Sequence, residues 1–220
     1  TWLNRGIPQP KNYSEDLITG IFKDGLPMGV EEANKSIPVI HTAGEPGDSK
    51  SLPNVVVLQL ESFIDPTLIK GLTFSQEPVP VFRSLKENYS SGYLRVPSVG
   101  AGTANTEFEV LTGMPVRSFG PGEYPYKTVL KDETCESINY ILKKFGFSSH
   151  AIHNHRGVFY GRNVVFSNLG FDTFTSLEYM NGVSKTPTNW AKDDVLTGEI
   201  LEAMNSTENQ DVIFTVSVQG

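Results

Sequence analysis

The sequence is poor in cysteine and has no long apolar run. Its 220 residues include one cysteine, Cys135, which excludes an internal disulfide and a zinc site with several cysteine ligands. No segment approaches the roughly 18–20 apolar residues needed to cross a bilayer. Neither an initiator methionine nor a signal-peptide pattern is present, so Thr1 is expected to be a processing or cloning boundary. Any membrane anchor of the parent protein would lie outside this sequence.

Clustered positive charge is also lacking. The chain has 18 Lys and Arg against 25 Asp and Glu, a formal net charge of −7, and no basic run. This balance argues against a nucleic-acid partner. The hydrophobic content of 38% and the charged content of 20% are typical of globular proteins.

Two parts can be distinguished along the chain. Residues 1–50 are rich in proline and glycine and are predicted to form an extended connector, with a short helix over Ser14–Phe22. In residues 51–220, apolar β-branched runs alternate with amphipathic segments; Val55–Leu60 and Val212–Val218 read as strands buried on both faces. This alternation predicts an α/β fold, with a mostly parallel central sheet flanked by helices.

Further elements follow from local patterns. Additional strands are predicted over residues 93–97 and 149–153, and helices over 78–89, 103–112, 134–144, 163–169 and 194–204. In the first of these helices, Val81, Phe82 and Leu85 are expected to face the core.

The central segment contains a hydroxyl residue in a distinctive position. Thr103 follows a Gly-Ala-Gly turn and opens a predicted helix, where free backbone N–H groups and the helix dipole favour an anion. On local sequence alone, the simpler interpretation is that Thr103 is an ordinary N-cap with Thr106 in a capping box. The dipole contributes only about 0.3–1 kcal/mol, so a nucleophilic role would require a metal ion.

Polar residues after two other strands can complete such a site. Glu61 ends the first buried strand and offers a hard oxygen ligand for a divalent cation, which would help Thr103 to ionise. Because parallel strands bring their carboxyl ends to one sheet edge, both residues are expected there. Glu61 also fits a solvated strand end or a turn cap.

The loop after the strand at 149–153 carries the remaining candidates. His153 can bind a phosphate or a hydroxyl or carry a proton, and Arg156 and Arg162 can grip phosphate oxygens. Structural roles stay open: His153 as a satisfied core residue, Arg156 as a solvated charge and Tyr160 as a core residue. On the helix after Thr103, the acidic residues are expected to be surface or capping charges; they are Glu107 and Glu109.

Three segments carry a family resemblance. LQLES (58–62), GAGTANTEFEVLTGMP (100–115) and HNHRGVFYGRNVVFSNLGFDTF (153–174) resemble the sulfatase-like extracellular domain of bacterial lipoteichoic acid synthases and related phosphoglycerol transferases, in the alkaline phosphatase superfamily. The resemblance extends from Pro53 to Gly220. It implies that residues 51–220 are the N-terminal part of a sulfatase-like catalytic domain.

The resemblance implies roles for five residues. Thr103 is similar to the family's nucleophile and metal ligand, and Glu61 to its metal-binding glutamate. His153, Arg162 and Tyr160 resemble substrate-binding residues, although Tyr160 stands in F-Y-G-R where the synthases commonly have F-W-N-R. The implied cofactor is a divalent metal, Mn²⁺ or Mg²⁺. The family's remaining ligands, an Asp-His pair, come later than Gly220, so the sequence as printed is expected to bind metal weakly and to be inactive by itself.

The implied function is transfer of glycerol phosphate from a phosphatidylglycerol-type lipid to a cell-envelope polymer or glycolipid through a covalent threonine intermediate. The implied location is the extracellular face of the bacterial cell membrane, with the membrane surface as a partner and no nucleic acid. Alternatives are another sulfatase-superfamily hydrolase, a phosphoethanolamine transferase or a non-catalytic envelope-polymer binding module. Thr103-Ala104-Asn105 departs from the C/S-x-P-x-R motif of true sulfatases, which counts against sulfate-ester hydrolysis.

Overall fold

The structure, a computed structural model, describes residues 52–98 and 102–218. Its four strands form one parallel sheet in the order β1-β4-β2-β3. They are β1 (Val55–Leu60), β2 (Ser148–His153), β3 (Thr173–Ser176) and β4 (Asp211–Ser217). This confirms the predicted parallel sheet; the connector predicted over residues 1–50 and its short helix lie outside the described residues.

Six α-helices accompany the sheet in the described part of the chain. They are α1 (Pro80–Asn88), α2 (Ala104–Thr112), α3 (Val129–Asp132), α4 (Ile138–Lys143), α5 (Arg162–Asn168) and α6 (Asp194–Asn205). Short 3₁₀ turns occupy Pro66–Leu68, Val116–Phe119, Pro125–Lys127, Phe159–Gly161 and Leu177–Tyr179. Strand β3 and helix α3 were not predicted from the sequence.

The core lies on both faces of the central strand β4, all of whose residues are buried. Successive side chains of a strand point to opposite faces, so Phe214 and Ile213 enter different clusters. Phe214 packs with Phe108 and Phe166 from helices α2 and α5. Ile213 packs with Leu196 of α6. The sheet is therefore covered by helices on both faces.

Strand β1 differs from its prediction. It pairs only with β4 within the described residues, and its burial alternates along the strand, with Val56 and Leu58 46% and 50% exposed. Val57 packs against the core cluster on the other face. The expectation that both faces are buried is wrong because β1 is an edge strand in this part of the chain.

The segment between β1 and α2 also departs from expectation. The predicted strand over 93–97 is absent, and Tyr93 is 94% exposed. Helix α1 forms, but Val81 and Leu85 are 71% and 52% exposed, so they do not face the core as predicted. The apolar pattern does not distinguish a core face from an uncovered one. No helix among the described residues combines the length and apolarity needed to span a membrane.

Candidate active site

Several of the candidate polar residues lie at the carboxyl edge of the sheet. Glu61 follows β1, His153 ends β2 and Ser217 ends β4. The neighbouring helix α2 begins at Ala104, directly after Thr103. The expected convergence at this edge is therefore present, although the strand predicted directly before Thr103, over residues 93–97, is absent.

Thr103 and Glu61 are in direct contact. The Thr103 hydroxyl Oγ1 donates a hydrogen bond of 2.6 Å to Glu61 Oε1. Although Thr103 occupies the N-cap position of α2, its side chain makes no capping hydrogen bond, so the capping interpretation is wrong. Gly102 has φ +84°, and a Cβ there would lie 3.1 Å from the Tyr124 hydroxyl, which explains the small residue before Thr103.

A buried arginine joins this pair to a second carboxylate. Arg162 and Glu107 are both fully buried. Arg162 Nε donates to Glu107 Oε2 at 3.1 Å, and Nη2 donates to the other oxygen of Glu107 and, at 3.3 Å, to Glu61 Oε1. Arg162 therefore fixes the orientation of the carboxylate that receives the Thr103 hydroxyl, while its buried Nη1 has no hydrogen-bond partner among the described residues.

The charges of this network do not cancel. Two carboxylates face one guanidinium, which leaves a formal charge of −1 when both are ionised. Burial raises the pKa of Glu61, opposed by the Thr103 hydrogen bond and by Arg162. Burial by itself would lower the pKa of Arg162, but Glu107 and Glu61 outweigh it and the net shift is upward. The excess negative charge next to Thr103 favours a cation there.

His153 lies at the same sheet edge as a neutral imidazole. Burial, assisted by the charge of Arg162, lowers the pKa of His153 to about 3. Its Nδ1 lies 2.8 Å from the carbonyl oxygen of Val216, which can only accept, so Nδ1 carries the proton. The buried Nε2 has no partner among the described residues and presents a lone pair.

Tyr160 forms part of the wall of the nucleophile cleft, the space of about 480 Å³ bordered by Glu61, Thr103, Phe159 and Tyr160. Its backbone is left-handed (φ 59°, ψ 11°), an unusual conformation for a bulky residue. The Tyr160 ring stacks on that of Tyr124 at 5.6 Å between centroids. The Arg162 guanidinium carbon lies 5.2 Å from the Tyr160 ring centroid. The Tyr160 ring therefore lies next to the guanidinium of the buried ion pair between Arg162 and Glu107.

Other candidates are placed differently. Arg156 is exposed and does not border this cleft. Glu109 accepts a hydrogen bond of 2.7 Å from the backbone N–H of Val116, as expected for a capping charge. The expectation that Glu107 is also a surface or capping charge is wrong. No local sequence signal identifies it, because its partner Arg162 lies far along the chain.

The donor atoms present fit part of a metal site. Glu61 Oε1 and Thr103 Oγ1 are hard oxygen donors 2.6 Å apart, beside an uncompensated negative charge. Among the described residues, no group of three or more His, Cys, Asp or Glu side chains is positioned to hold an ion. Glu61 and Thr103 are thus suited to supply part of a coordination sphere for a divalent cation.

Comparison with known proteins identifies relatives of the chain. The model of the family described as Sulfatase matches residues 53–220. A protein of Rhizobium meliloti, named "Putative cyclic beta-1,2-glucan modification protein", is 32% identical over 214 residues, which cover 97% of this chain and 30% of the relative. The chain thus spans less than a third of the length of this curated relative.

Three solved structures share the fold. The Streptococcus pyogenes phosphoglycerol transferase GacH, in complex with sn-glycerol-1-phosphate, matches with a TM-score of 0.72 and 24% identity, over 98% of this chain and 54% of GacH. The lipoteichoic acid synthase LtaP of Listeria monocytogenes matches with a TM-score of 0.62 and 22% identity, over 76% of this chain and 40% of LtaP. The periplasmic domain of EcEptC from Escherichia coli, in complex with Zn, gives 0.50 and 18%, over 78% and 45%.

These matches agree with the parallel sheet flanked by helices. The family model covers most of the chain, and the structural likeness extends over nearly all of it. The chain belongs to the Sulfatase family.

Proposed function

We propose that this chain is the N-terminal part of a metal-dependent phosphoglycerol transferase in which Thr103 is the nucleophile. The observation that carries the proposal is the 2.6 Å hydrogen bond from Thr103 Oγ1 to Glu61 Oε1, at a site with excess negative charge. Two of the structures that share the fold are named as a phosphoglycerol transferase and a lipoteichoic acid synthase.

The reaction takes place in two displacements. Thr103 Oγ1 attacks the phosphorus of a phosphatidylglycerol-type lipid; the O–P bond forms, the bond to diacylglycerol breaks, and the threonine proton ends on the diacylglycerol oxygen. An acceptor hydroxyl then attacks the same phosphorus, the bond to Thr103 breaks, and the acceptor proton returns to the threonine. The net result is a glycerol phosphate diester on the acceptor, with diacylglycerol as the other product.

The chain's own residues orient this chemistry. Glu61 accepts the hydrogen bond that aims Oγ1, and Arg162 and Glu107 hold Glu61 in place. A divalent cation, Mn²⁺ or Mg²⁺, held in part by Glu61 and Thr103 would stabilise the ionised hydroxyl and the phosphoryl oxygens as a Lewis acid.

His153 and Tyr160 are assigned to the substrate. The Nε2 lone pair of His153 accepts a hydrogen bond, so it suits a hydroxyl of the glycerol group better than an anionic phosphate oxygen. Tyr160 offers a ring against which the glycerol carbons can pack. Arg162 contributes charge to the phosphate site while remaining bonded to its two carboxylates.

The acceptor that we propose is a cell-envelope saccharide, and the names of two similar proteins support it. The Rhizobium meliloti relative is named for modification of a cyclic β-1,2-glucan, and the Listeria enzyme for synthesis of lipoteichoic acid. The substrates would then meet at the outer face of the bacterial membrane. The structure of EcEptC, a periplasmic domain, supports this location.

The test is a comparison of Thr103→Ala and Thr103→Ser in the full-length protein with labelled phosphatidylglycerol and Mn²⁺. We expect Thr103→Ala to release diacylglycerol at least about a thousandfold more slowly, because the attacking atom is removed. Thr103→Ser should retain measurable turnover and should show a glycerophosphoryl group on that serine by mass spectrometry. Thr134→Ala, an exposed threonine outside the site, is the matched control.

Three outcomes would overturn the proposal. Undiminished diacylglycerol release by Thr103→Ala would remove Thr103 from the reaction. Release of ethanolamine phosphate from phosphatidylethanolamine in preference to reaction with phosphatidylglycerol would instead identify a phosphoethanolamine transferase, and lipid binding without turnover would identify a binding module.

A further inference from the structure

A second cleft lies beside the nucleophile cleft and has no assigned role. The Trp190 cleft has a volume of about 670 Å³ and is bordered by Arg156, Phe159, Tyr160, Lys185 and Trp190, with His155, Thr188 and Asn189 among its other lining residues. Its volume falls within the range of about 300–1,000 Å³ that is usual for small-molecule sites. Phe159 and Tyr160 border both clefts, so the two share a wall.

Trp190 is held in place although its side chain faces solvent. The residue is 46% exposed, yet its carbonyl accepts a hydrogen bond of 2.8 Å from the backbone N–H of Thr186. Its own N–H donates to Thr186 Oγ1 at 3.1 Å, and Lys185 and Ala191 form an antiparallel bridge. These bonds close a tight hairpin whose tip, Asn189, is left-handed at φ 68°. An exposed tryptophan on such a pinned turn is a rigid surface for a ligand, because little conformational entropy is lost on binding.

The exposed tryptophan begins a continuous row of rings. The centroid of Trp190 lies 5.4 Å from that of His155, which lies 4.6 Å from that of Phe159. Phe159 is 4.5 Å from Tyr160, whose ring borders the nucleophile cleft. The aromatic row therefore leads from an exposed platform to the wall beside Thr103.

The other groups of the cleft are hydrogen-bond donors. Arg156 and Lys185 are exposed cations, and Thr188 and Asn189 are exposed neutral polar residues. Among the residues that the structure describes, no acidic residue borders the cleft. The Lys185 ammonium donates to Asn189 Oδ1 at 3.0 Å, which leaves the amide nitrogen of Asn189 available as a donor. Flat apolar rings edged by several donors match a sugar ring, whose faces carry C–H groups and whose rim carries hydroxyl oxygens.

We propose that the Trp190 cleft binds the saccharide chain of the acceptor, with sugar rings lying on Trp190 and the next residues of the chain directed along the aromatic row to Thr103. This inference rests on the proposed function for the direction of the chain, but saccharide binding is measurable without turnover. The occupant is a neutral β-linked glucan. A free sugar hydroxyl of this glucan is the oxygen that attacks phosphorus in the second displacement.

The experiment is a calorimetric titration of the purified full-length protein with β-1,2-linked glucose oligosaccharides. We expect saturable binding that is about tenfold or more weaker in Trp190→Ala, because the platform carries a large share of the contact. Trp190→Phe should stay within about threefold of the wild type, since it keeps a ring. Tyr179→Ala is the matched control, an aromatic residue 74% exposed that does not border the cleft.

Further arms separate this proposal from others. The Thr103→Ala variant should bind the oligosaccharides like the wild type, so loss of the nucleophile and loss of the saccharide site are distinguishable. Lys185→Ala, at an exposed position, should weaken binding severalfold and serves as the second probe if Trp190→Ala does not fold. Binding should change less than about twofold when salt is raised to screen charges.

Three results would overturn the proposal. The first is that the wild type shows no saturable binding of the oligosaccharides. The second is that a folded Trp190→Ala variant binds them as the wild type does. The third is that the cleft binds glycerol 1-phosphate alone, with a strong dependence on salt concentration. Each of these results leaves the assignment of Thr103 untouched.

Discussion

Neutralising Glu107 is the sharpest test of how the site is held together. Arg162 and Glu107 both have 0% exposure, and Arg162 makes two hydrogen bonds to Glu107 and one, at 3.3 Å, to Glu61. Glu107→Gln keeps the shape and one acceptor oxygen but removes the fully buried carboxylate of the pair, which leaves the Arg162 guanidinium with Glu61 as its one ion-pair partner among the described residues. Loss of one partner of a buried ion pair costs about 3–5 kcal/mol. Because the glutamine still accepts one bond, we expect a loss near the lower end, about 3 kcal/mol.

The assay is urea unfolding of the wild type, Glu107→Gln, Arg162→Met and the double variant. The double variant should be more stable than Glu107→Gln alone, since it removes the fully buried guanidinium and leaves only Glu61, whose side chain is 15% exposed, without its ion-pair partner. Glu77→Gln is the control, because its ion pair with Arg83 at 3.1 Å is on the surface and should contribute less than about 1 kcal/mol. A Glu107→Gln loss as small as that of the control would refute the reasoning. The charge change also predicts weaker Mn²⁺ binding, because the network falls from −1 to neutral.

Two further predictions concern stability. Because the pKa of His153 falls to about 3 in the folded protein, the folded state takes up that proton less readily than the unfolded chain, and stability should decline by up to about 1.4 kcal/mol per pH unit as pH falls below about 6.5. His153→Gln should flatten this decline in unfolding measured from pH 7 to pH 4, and an unchanged slope would contradict the assignment. Gly170→Ala should destabilise by about 1–3 kcal/mol, since φ is +79° and the new Cβ would lie 2.8 Å from the Tyr140 ring. Gly198→Ala lies within α6, and no atom is within 4 Å of the new Cβ, so it should instead stabilise the protein by about 0.5–1 kcal/mol and raise the melting temperature. Stability changes of the same sign for the two glycine substitutions would refute this reasoning.

Local sequence was sufficient for the elements that form the core. The continuous apolar run at β4 correctly predicts a strand buried on both faces, and Gly113 correctly ends α2 in a left-handed C-cap at φ 69°. The meeting of Glu61 and Thr103 was predicted correctly, although the strand that was expected to bring Thr103 to the sheet edge, over residues 93–97, is absent.

Burial could not be predicted where it depends on distant neighbours. The runs at β1 and β4 look alike, but β4 has a strand on each side whereas β1 has one in the described chain. Glu107 lies one turn into a helix, where a surface charge and a buried one have the same local pattern. Only the fold brings it to Arg162, and the sequence separation hides the pair. Thr103 was also misjudged from local sequence. Its residue type and position fit an N-cap, but its hydroxyl donates a hydrogen bond to Glu61 and makes no capping bond.

The outer side of β1 has a consequence for handling the protein. Within residues 52–98 and 102–218, the backbone groups on that side face no partner strand, and the strand sequence VVVLQL carries no charge. Edges of this type readily accept extended backbone from another molecule, because neither lysine, proline nor a bulge blocks the approach. Concentrated samples of these residues alone would therefore tend to associate side by side through β1. A lysine at Leu58, which is half exposed, would discourage such pairing without touching the core.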